Sequence, residues 1–235
     1  MTDKNRSMTR KSIQWLVFFS GLLIMAFGVA LMISAELGSA PWDVLHIGLF
    51  KQFGLSIGSW SVIVGFGIIA ATALMERKPP MAGAFLNMLF VGVFIDGCLL
   101  LPFMKTPDSL LLKMTMLSAG IIILGFGIGL YIASDCGAGP RDHFMLVMTE
   151  RTGVKVSKIR LYMELAVLFL GWVMGGPVSY GTIIFCLAIG SIVGITLPFC
   201  RKRVNVILDW SEHGENINKG KIRLDHHDGI SEKVR

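Results

Sequence analysis

The stretch Gly38-Ser39-Ala40-Pro41-Trp42-Asp43 recurs in altered form as Gly137-Ala138-Gly139-Pro140-Arg141-Asp142, at an offset of 99 residues. Each copy follows a long apolar run and has an acid two residues ahead, Glu36 or Asp135. Each opens a short segment closed by glycine, Gly54 or Gly153. Glycine tolerates the backbone that leaves a helix, and proline suits the first position of the next one. A chain broken twice in the same way between long apolar runs is constrained to two related halves. The offset extends beyond the breaks, since Gly28 faces Gly127, Leu31 faces Leu130 and Met75 faces Met174. With a few residues lost in the second copy, Leu101-Pro102-Phe103 is answered by Leu197-Pro198-Phe199.

The apolar runs have the length that crosses a hydrocarbon core of roughly 30 Å. They predict spans over 13–33, 57–75, 81–103, 110–132, 159–174 and 180–200. The segments 42–53 and 140–152 read as helices of about 13 residues, reaching only about 20 Å, too short to cross unaided. The expected fold is therefore an all-α polytopic membrane protein with six transmembrane helices. These form two three-helix repeats, 13–104 and 105–200, each with one short broken or re-entrant helix. Three spans per repeat is an odd number, so the second repeat enters the membrane inverted, as in many secondary transporters. Hydrophobic residues make up 53% of the chain and charged ones 16%, which suits this reading.

The formal charge of +6 invites a nucleic-acid reading, but the Lys and Arg sit in connections and tails, where they act as orientation signals. With six spans and the N-terminus inside, the interior receives Arg77, Lys78, Arg141, Arg151, Lys155, Lys158, Arg160 and Arg201-Lys202-Arg203; the exterior receives Lys51, Lys105 and Lys113. The tails 1–12 and 201–235 are thus both expected in the cytoplasm, the second mixed in charge and poorly ordered apart from an interfacial helix through Val206, Leu208 and Trp210. Four cysteines without CxxC spacing indicate neither a zinc site nor a disulfide framework, and no cofactor or metal is expected.

Both glycine-proline breaks, the span holding Glu164, and Gly175-Gly176-Pro177-Val178-Ser179-Tyr180-Gly181-Thr182 together resemble the YczE/YitT-like family of bacterial membrane proteins. The resemblance runs from about Trp15 to Pro198 and implies a multi-span protein of the bacterial cytoplasmic membrane. It carries no biochemical activity with it. The chain departs from the usual pattern at His143 and at Ser179-Tyr180, where glycine is expected.

Candidate site residues gather at the breaks: Gly38, Pro41, Asp43, Gly137, Gly139, Pro140, Arg141 and Asp142. Backbone unwound inside a membrane protein lines a cavity, and the helix start beyond it offers N–H groups to an anion. The plainer role of Asp43 and Asp142 is to cap their own helices. Arg141, matched by Trp42 in the first copy, either completes an anion site or pairs internally with Asp142 or Glu164. Asp96 and Glu164 lie within predicted spans, where acids face a bundle interior or a water-filled path. Their plainer roles are a hydrogen bond to a neighbouring helix for Asp96 and reach to the interface for Glu164. The pairs Gly125/Gly129, Gly171/Gly175 and Gly190/Gly194 are expected to serve close helix packing. His46 and His143, each a lone imidazole, read as structural.

These features favour a transporter of an unidentified small solute or ion, with its site at the paired breaks. The alternative is a non-transporting regulator or scaffold whose basic inner surface contacts cytoplasmic partners. An enzyme is not expected, since no HExxH motif or metal-ligand cluster is present. The expected partners are the lipid bilayer and the solute, not nucleic acid; a homodimer is compatible with both.

Overall fold

The computed structural model describes residues 3–77, 82–137 and 139–227. Among them are eight helices and no strand: α1 Asp3–Ala35, α2 Pro41–Phe53, α3 Ile57–Glu76, α4 Ala82–Leu99, α5 Leu110–Ala133, α6 Pro140–Thr152, α7 Val156–Val173 and α8 Tyr180–His227. Four carry apolar stretches long enough to cross a membrane: Thr9–Ala35, Ile57–Glu76, Leu110–Ala133 and Tyr180–Trp210. Gly83–Leu99 in α4 is apolar but shorter, and α7 carries Lys158, Arg160 and Glu164 over its first turns. Large apolar side chains stand on the outside, Leu74 at 80% exposure and Leu187 at 77%. A water-facing surface rarely bears so much apolar area; a lipid-facing one requires it.

The centre is the crossing of α1 and α5. Phe18, Leu22, Met32, Leu117, Ile121 and Leu124 are all but fully buried there. Four glycines bring the two backbones together. A Cβ on Gly28 would lie 2.5 Å from the Leu124 nitrogen and 2.7 Å from the Gly120 oxygen, and one on Gly127 would lie 2.9 Å from the Gly21 oxygen. Gly21 meets the Tyr131 backbone, and Gly120 meets the Gly28 oxygen. As the α1 number rises the α5 number falls, so the helices run antiparallel. Gly21 and Gly28 stand 99 residues before Gly120 and Gly127, and each pairs with the counterpart of the other.

The short helices cross between halves. α2 lies along α7, where a Cβ on Gly171 would meet the Leu45 backbone and Lys51 donates to the Gly175 carbonyl at 2.9 Å. α6 lies along α3, where His143 Nε2 stands 2.7 Å from Glu76 Oε2. That contact gives His143, the residue in the place of an expected glycine, a partner on the other half.

Two packing expectations are corrected. Nothing lies within 4 Å of a Cβ built on Gly190 or Gly194, so this pair mediates no close approach among the described residues. Gly175 likewise meets nothing, and its φ of 86° makes it a helix-ending residue instead. The spacing was right, but those faces of α7 and α8 point away from neighbours. The helix expected to stop near residue 200 continues unbroken to His227. Cys200, Val204 and Leu208 extend an apolar stripe at four-residue spacing that packs on Val17 and Ala133. This stripe holds the segment through Leu208 helical against α1 and α5 and leaves Val206 and Trp210 exposed.

Asp96 of α4 ties its helix to the start of α3. It accepts a hydrogen bond from the Ser56 hydroxyl and one from the Gly58 backbone N–H at 2.8 Å. Ser56 is itself the N-cap of α3, accepting from the Ser59 N–H. The carboxylate therefore sits at the positive end of α3, where it is favoured by the dipole. Hydrogen bonds to a charged group contribute about 1.5–3 kcal/mol each. Asp96→Ala is expected to destabilise the detergent-solubilised protein by about 2 kcal/mol or more, read as a fall in the thermal midpoint. An unchanged midpoint would refute this capping role.

Candidate functional site

At the first break Glu36 turns to φ 54° and Gly38 to φ 103°; at the second, Asp135 turns to φ 54° and Gly137 to φ 133°. The same pair of left-handed positions thus ends both preceding helices, and the second position in each is one that only glycine adopts readily. The turns are wedged against the other half. A Cβ on Gly38 would meet Thr182 Oγ1 at 2.8 Å, and the Gly181 N–H donates to the Leu37 carbonyl at 2.8 Å. A Cβ on Gly83 would meet the Cys136 carbonyl at 2.1 Å. Pro41 and Pro140 then begin α2 and α6 at N1, with Ala40 and Gly139 at the N-caps.

The two helix starts open onto one cavity of about 200 Å³. Its wall includes Pro41, Trp42 and Asp43 from the first break and Gly139, Pro140, Arg141 and Asp142 from the second. Ser61, Asn87, Tyr131, Arg160 and Glu164 complete its polar part, and α1, α4, α5 and α8 supply most of the apolar remainder. Seven of the ten sequence candidates meet here: Pro41, Asp43, Gly139, Pro140, Arg141, Asp142 and Glu164. Gly38 and Gly137 form the turns behind them. Asp96 does not line the cavity and acts at the α3 end instead.

Arg141 and Trp42 occupy equivalent positions in the two copies, and they meet. The guanidinium carbon lies 4.2 Å from the centre of the Trp42 ring, a cation–π contact. The internal ion pair expected for Arg141 is not formed, because no carboxylate among the described residues comes within ion-pair distance of it. Glu164 pairs instead with Arg160 one turn earlier, whose Nε donates to Glu164 Oε1 at 3.0 Å. An i,i+4 partner on the same helix reaches it without crossing the cavity.

Asp43 and Asp142 stand in the first turns of α2 and α6, where the dipole favours them, but the side-chain capping bonds expected of them are not formed. Asp142 Oδ2 accepts the Tyr131 hydroxyl at 2.9 Å. Asp43 is 4% exposed, its Oδ1 lies 4.0 Å from His46 Nδ1, and its Oδ2 has no hydrogen-bond partner. His46 is 1% exposed, with neither ring nitrogen hydrogen-bonded. Asn87 is 7% exposed and its Nδ2 is also without a partner. Asp142 Oδ2 stays beside its own helix start, 3.6 Å from a Cβ built on the N-cap Gly139, and spends its hydrogen bond on Tyr131.

Trp42, Asn87, Tyr131 and Arg160 are site residues that the sequence reading passed over. For Trp42 a signal existed, since it stands at the position matching Arg141. Asn87 and Tyr131 sit within apolar runs and carry no such mark. Among the described residues no group of three or more His, Cys, Asp or Glu is placed to hold a metal ion.

The profile of a family described as a family of unknown function, DUF6198, matches residues 12–198, which includes both breaks and the whole cavity. The chain belongs to this family. Within curated proteins it is similar to the "Uncharacterized membrane protein YczE" of Bacillus subtilis, 43% identical over 188 residues, covering 79% of this chain and 86% of that one. An "Uncharacterized protein" of Haemophilus influenzae is 31% identical over 183 residues, covering 78% and 82%. "Uncharacterized protein YyaS" of Bacillus subtilis is 26% identical over 192 residues, covering 80% and 94%. No solved structure matches the chain. The YczE-like resemblance read from the breaks holds, and with the apolar helices it makes this DUF6198 member a membrane protein. The C-terminal part of α8, beyond residue 198, lies outside the family match.

Proposed function

We propose that this protein is a carrier for a small solute or ion, binding it in the cavity between the starts of α2 and α6. The observation that carries the reading is the convergence there of both repeated breaks, with Asp43, Arg141 and Asp142 on one cavity wall. Free N–H groups at two helix starts and charged side chains shielded from lipid are what a solute site in a membrane protein needs. Supporting it, the reciprocal glycine pairs of the antiparallel α1 and α5 fit two inverted halves around an axis in the membrane plane. On this reading six helices span the cytoplasmic membrane of a bacterium, with both termini inside.

The halves are also unequally closed. α3 packs along α4, with Gly58 against the Gly92 carbonyl, while their counterparts α7 and α8 do not pack closely together. A carrier alternates by exchanging two such arrangements. The test is flux. Purified protein in proteoliposomes under a clamped membrane potential, offered inorganic ions, carboxylates, amino acids, sugars and amines, is expected to show saturable, protein-dependent uptake of one class. Absence of uptake for every class would favour the regulator or scaffold.

Inverted topology has its own expected outcome. Phe53→Cys and Thr152→Cys mark the exposed ends of α2 and α6. In intact cells a membrane-impermeant maleimide should label the first and spare the second. Labelling of both, or of neither, beyond the wild-type background would contradict the inverted arrangement.

A further inference from the structure

The polar groups around the cavity differ in whether they are already paired, and the difference narrows the class of solute. Asp142 is held by the Tyr131 hydroxyl, and Glu164 by Arg160. The Tyr131 hydroxyl leaves the Asp142 charge in place, but among the described residues lining the cavity Asp43 Oδ2 and Arg141 are the charged groups left without a direct polar partner. Asp43 presents a buried carboxylate oxygen without a hydrogen-bond partner, and Arg141 presents a guanidinium backed by Trp42 with no carboxylate beside it among the described residues. Asn87 adds a buried amide donor, likewise without a partner. Val29, Val91, Ile95, Leu124, Phe185 and Ile189 make an apolar floor.

We propose that this cavity binds a small zwitterion with an apolar body, of the class of aliphatic α-amino acids. Its ammonium faces Asp43, its carboxylate faces Arg141 and Asn87, and its side chain rests on the floor. The inference rests on the site assigned above and names its ligand. A lone anion would pair with Arg141 and leave the buried Asp43 oxygen without a hydrogen-bond partner; a lone cation would pair with Asp43 and leave Arg141 without one. Only a ligand bearing both charges satisfies both groups, and the planar guanidinium suits a carboxylate in particular. The two helix starts favour the anionic end. The size agrees: at about 10–15 Å³ per water-sized position, the cavity has about fifteen such positions, room for an amino acid and not for a nucleotide.

The test uses the full chain in lipid nanodiscs, by thermal unfolding and calorimetric titration. The probes are L-alanine, L-valine, L-leucine and L-methionine, each beside its N-acetyl derivative (anion alone) and its methyl ester (cation alone). At least one free amino acid is expected to bind saturably and raise the unfolding midpoint, with both blocked forms about tenfold weaker or worse. Asp43→Asn should remove the preference for the free amine, so that amino acid and N-acetyl form bind alike. Failure of all four amino acids to bind, or equal binding of a blocked form to the natural chain, would overturn the proposal. The blocked-form comparison needs no variant and stands even if Asp43→Asn does not fold. An amino acid that binds without crossing the proteoliposome membrane supports this inference while removing the carrier reading. Uptake of another solute class with no amino acid bound does the opposite.

Discussion

Gly28→Ala is expected to remove the folded protein almost entirely, although it adds only one methyl group. The new Cβ would stand 2.5 Å from the Leu124 nitrogen and 2.7 Å from the Gly120 oxygen. Neither atom belongs to a flexible side chain, so relief requires α1 and α5 to separate along their length. The opposing gain is the helix propensity of alanine over glycine, about 1 kcal/mol. Separating a packed backbone crossing costs about 3 kcal/mol or more, and it opens the core around Phe18, Leu22 and Leu117. The clash wins. Gly127→Ala should behave alike, with a Cβ 2.4 Å from the Met25 nitrogen. Gly97→Ala and Gly190→Ala meet nothing within 4 Å and are expected to leave the thermal midpoint unchanged or slightly raised. Size-exclusion profiles and thermal midpoints of the four detergent-solubilised variants check this. A monodisperse, wild-type-like Gly28→Ala protein would mean that the crossing is not the keystone of the fold.

Arg141→Gln is expected to abolish uptake with assembly retained. The guanidinium rests on the Trp42 ring, and that contact contributes about 0.5–2 kcal/mol to stability. Losing it shifts the midpoint modestly. Losing a charged partner for the solute costs about 1.5–3 kcal/mol of binding, which is about 10–100-fold in affinity. Function therefore falls much further than stability. Arg141→Lys retains the charge but not the planar fork, so an intermediate loss is expected. Trp42→Ala should resemble it, because the guanidinium keeps its charge and loses its platform. Full uptake by folded Arg141→Gln would separate the cavity from transport. Loss of folding in Arg141→Gln, with a stable Trp42→Ala, would instead give Arg141 a structural role.

Where the helices begin and end around the breaks is legible in the chain, because those decisions are local. Pro41 and Pro140 stand at N1, Gly54 and Gly153 close α2 and α6, and the glycine of each break adopts a positive φ. Proline and glycine carry these outcomes in their own covalent geometry, so they are legible without knowing any neighbour. The duplication was legible for the same reason, since it is a property of spacing. Which side chains meet was settled by packing across the fold. Gly125/Gly129 and Gly190/Gly194 look alike in sequence, yet one pair packs on Ile192 and Thr196 and the other touches nothing. The helices' rotation, set by all their contacts together, separates the two. Asp43 and Asp142 hold the same place in their helices, yet only Asp142 finds a hydroxyl, because Tyr131 stands at its side and Met32, its counterpart, carries none. Trp42 and Arg141 lie 99 residues apart, and their stacking exists only because two distant helix starts are brought to one cavity. A side chain's type can be read from the chain, but its partner depends on distances that folding creates.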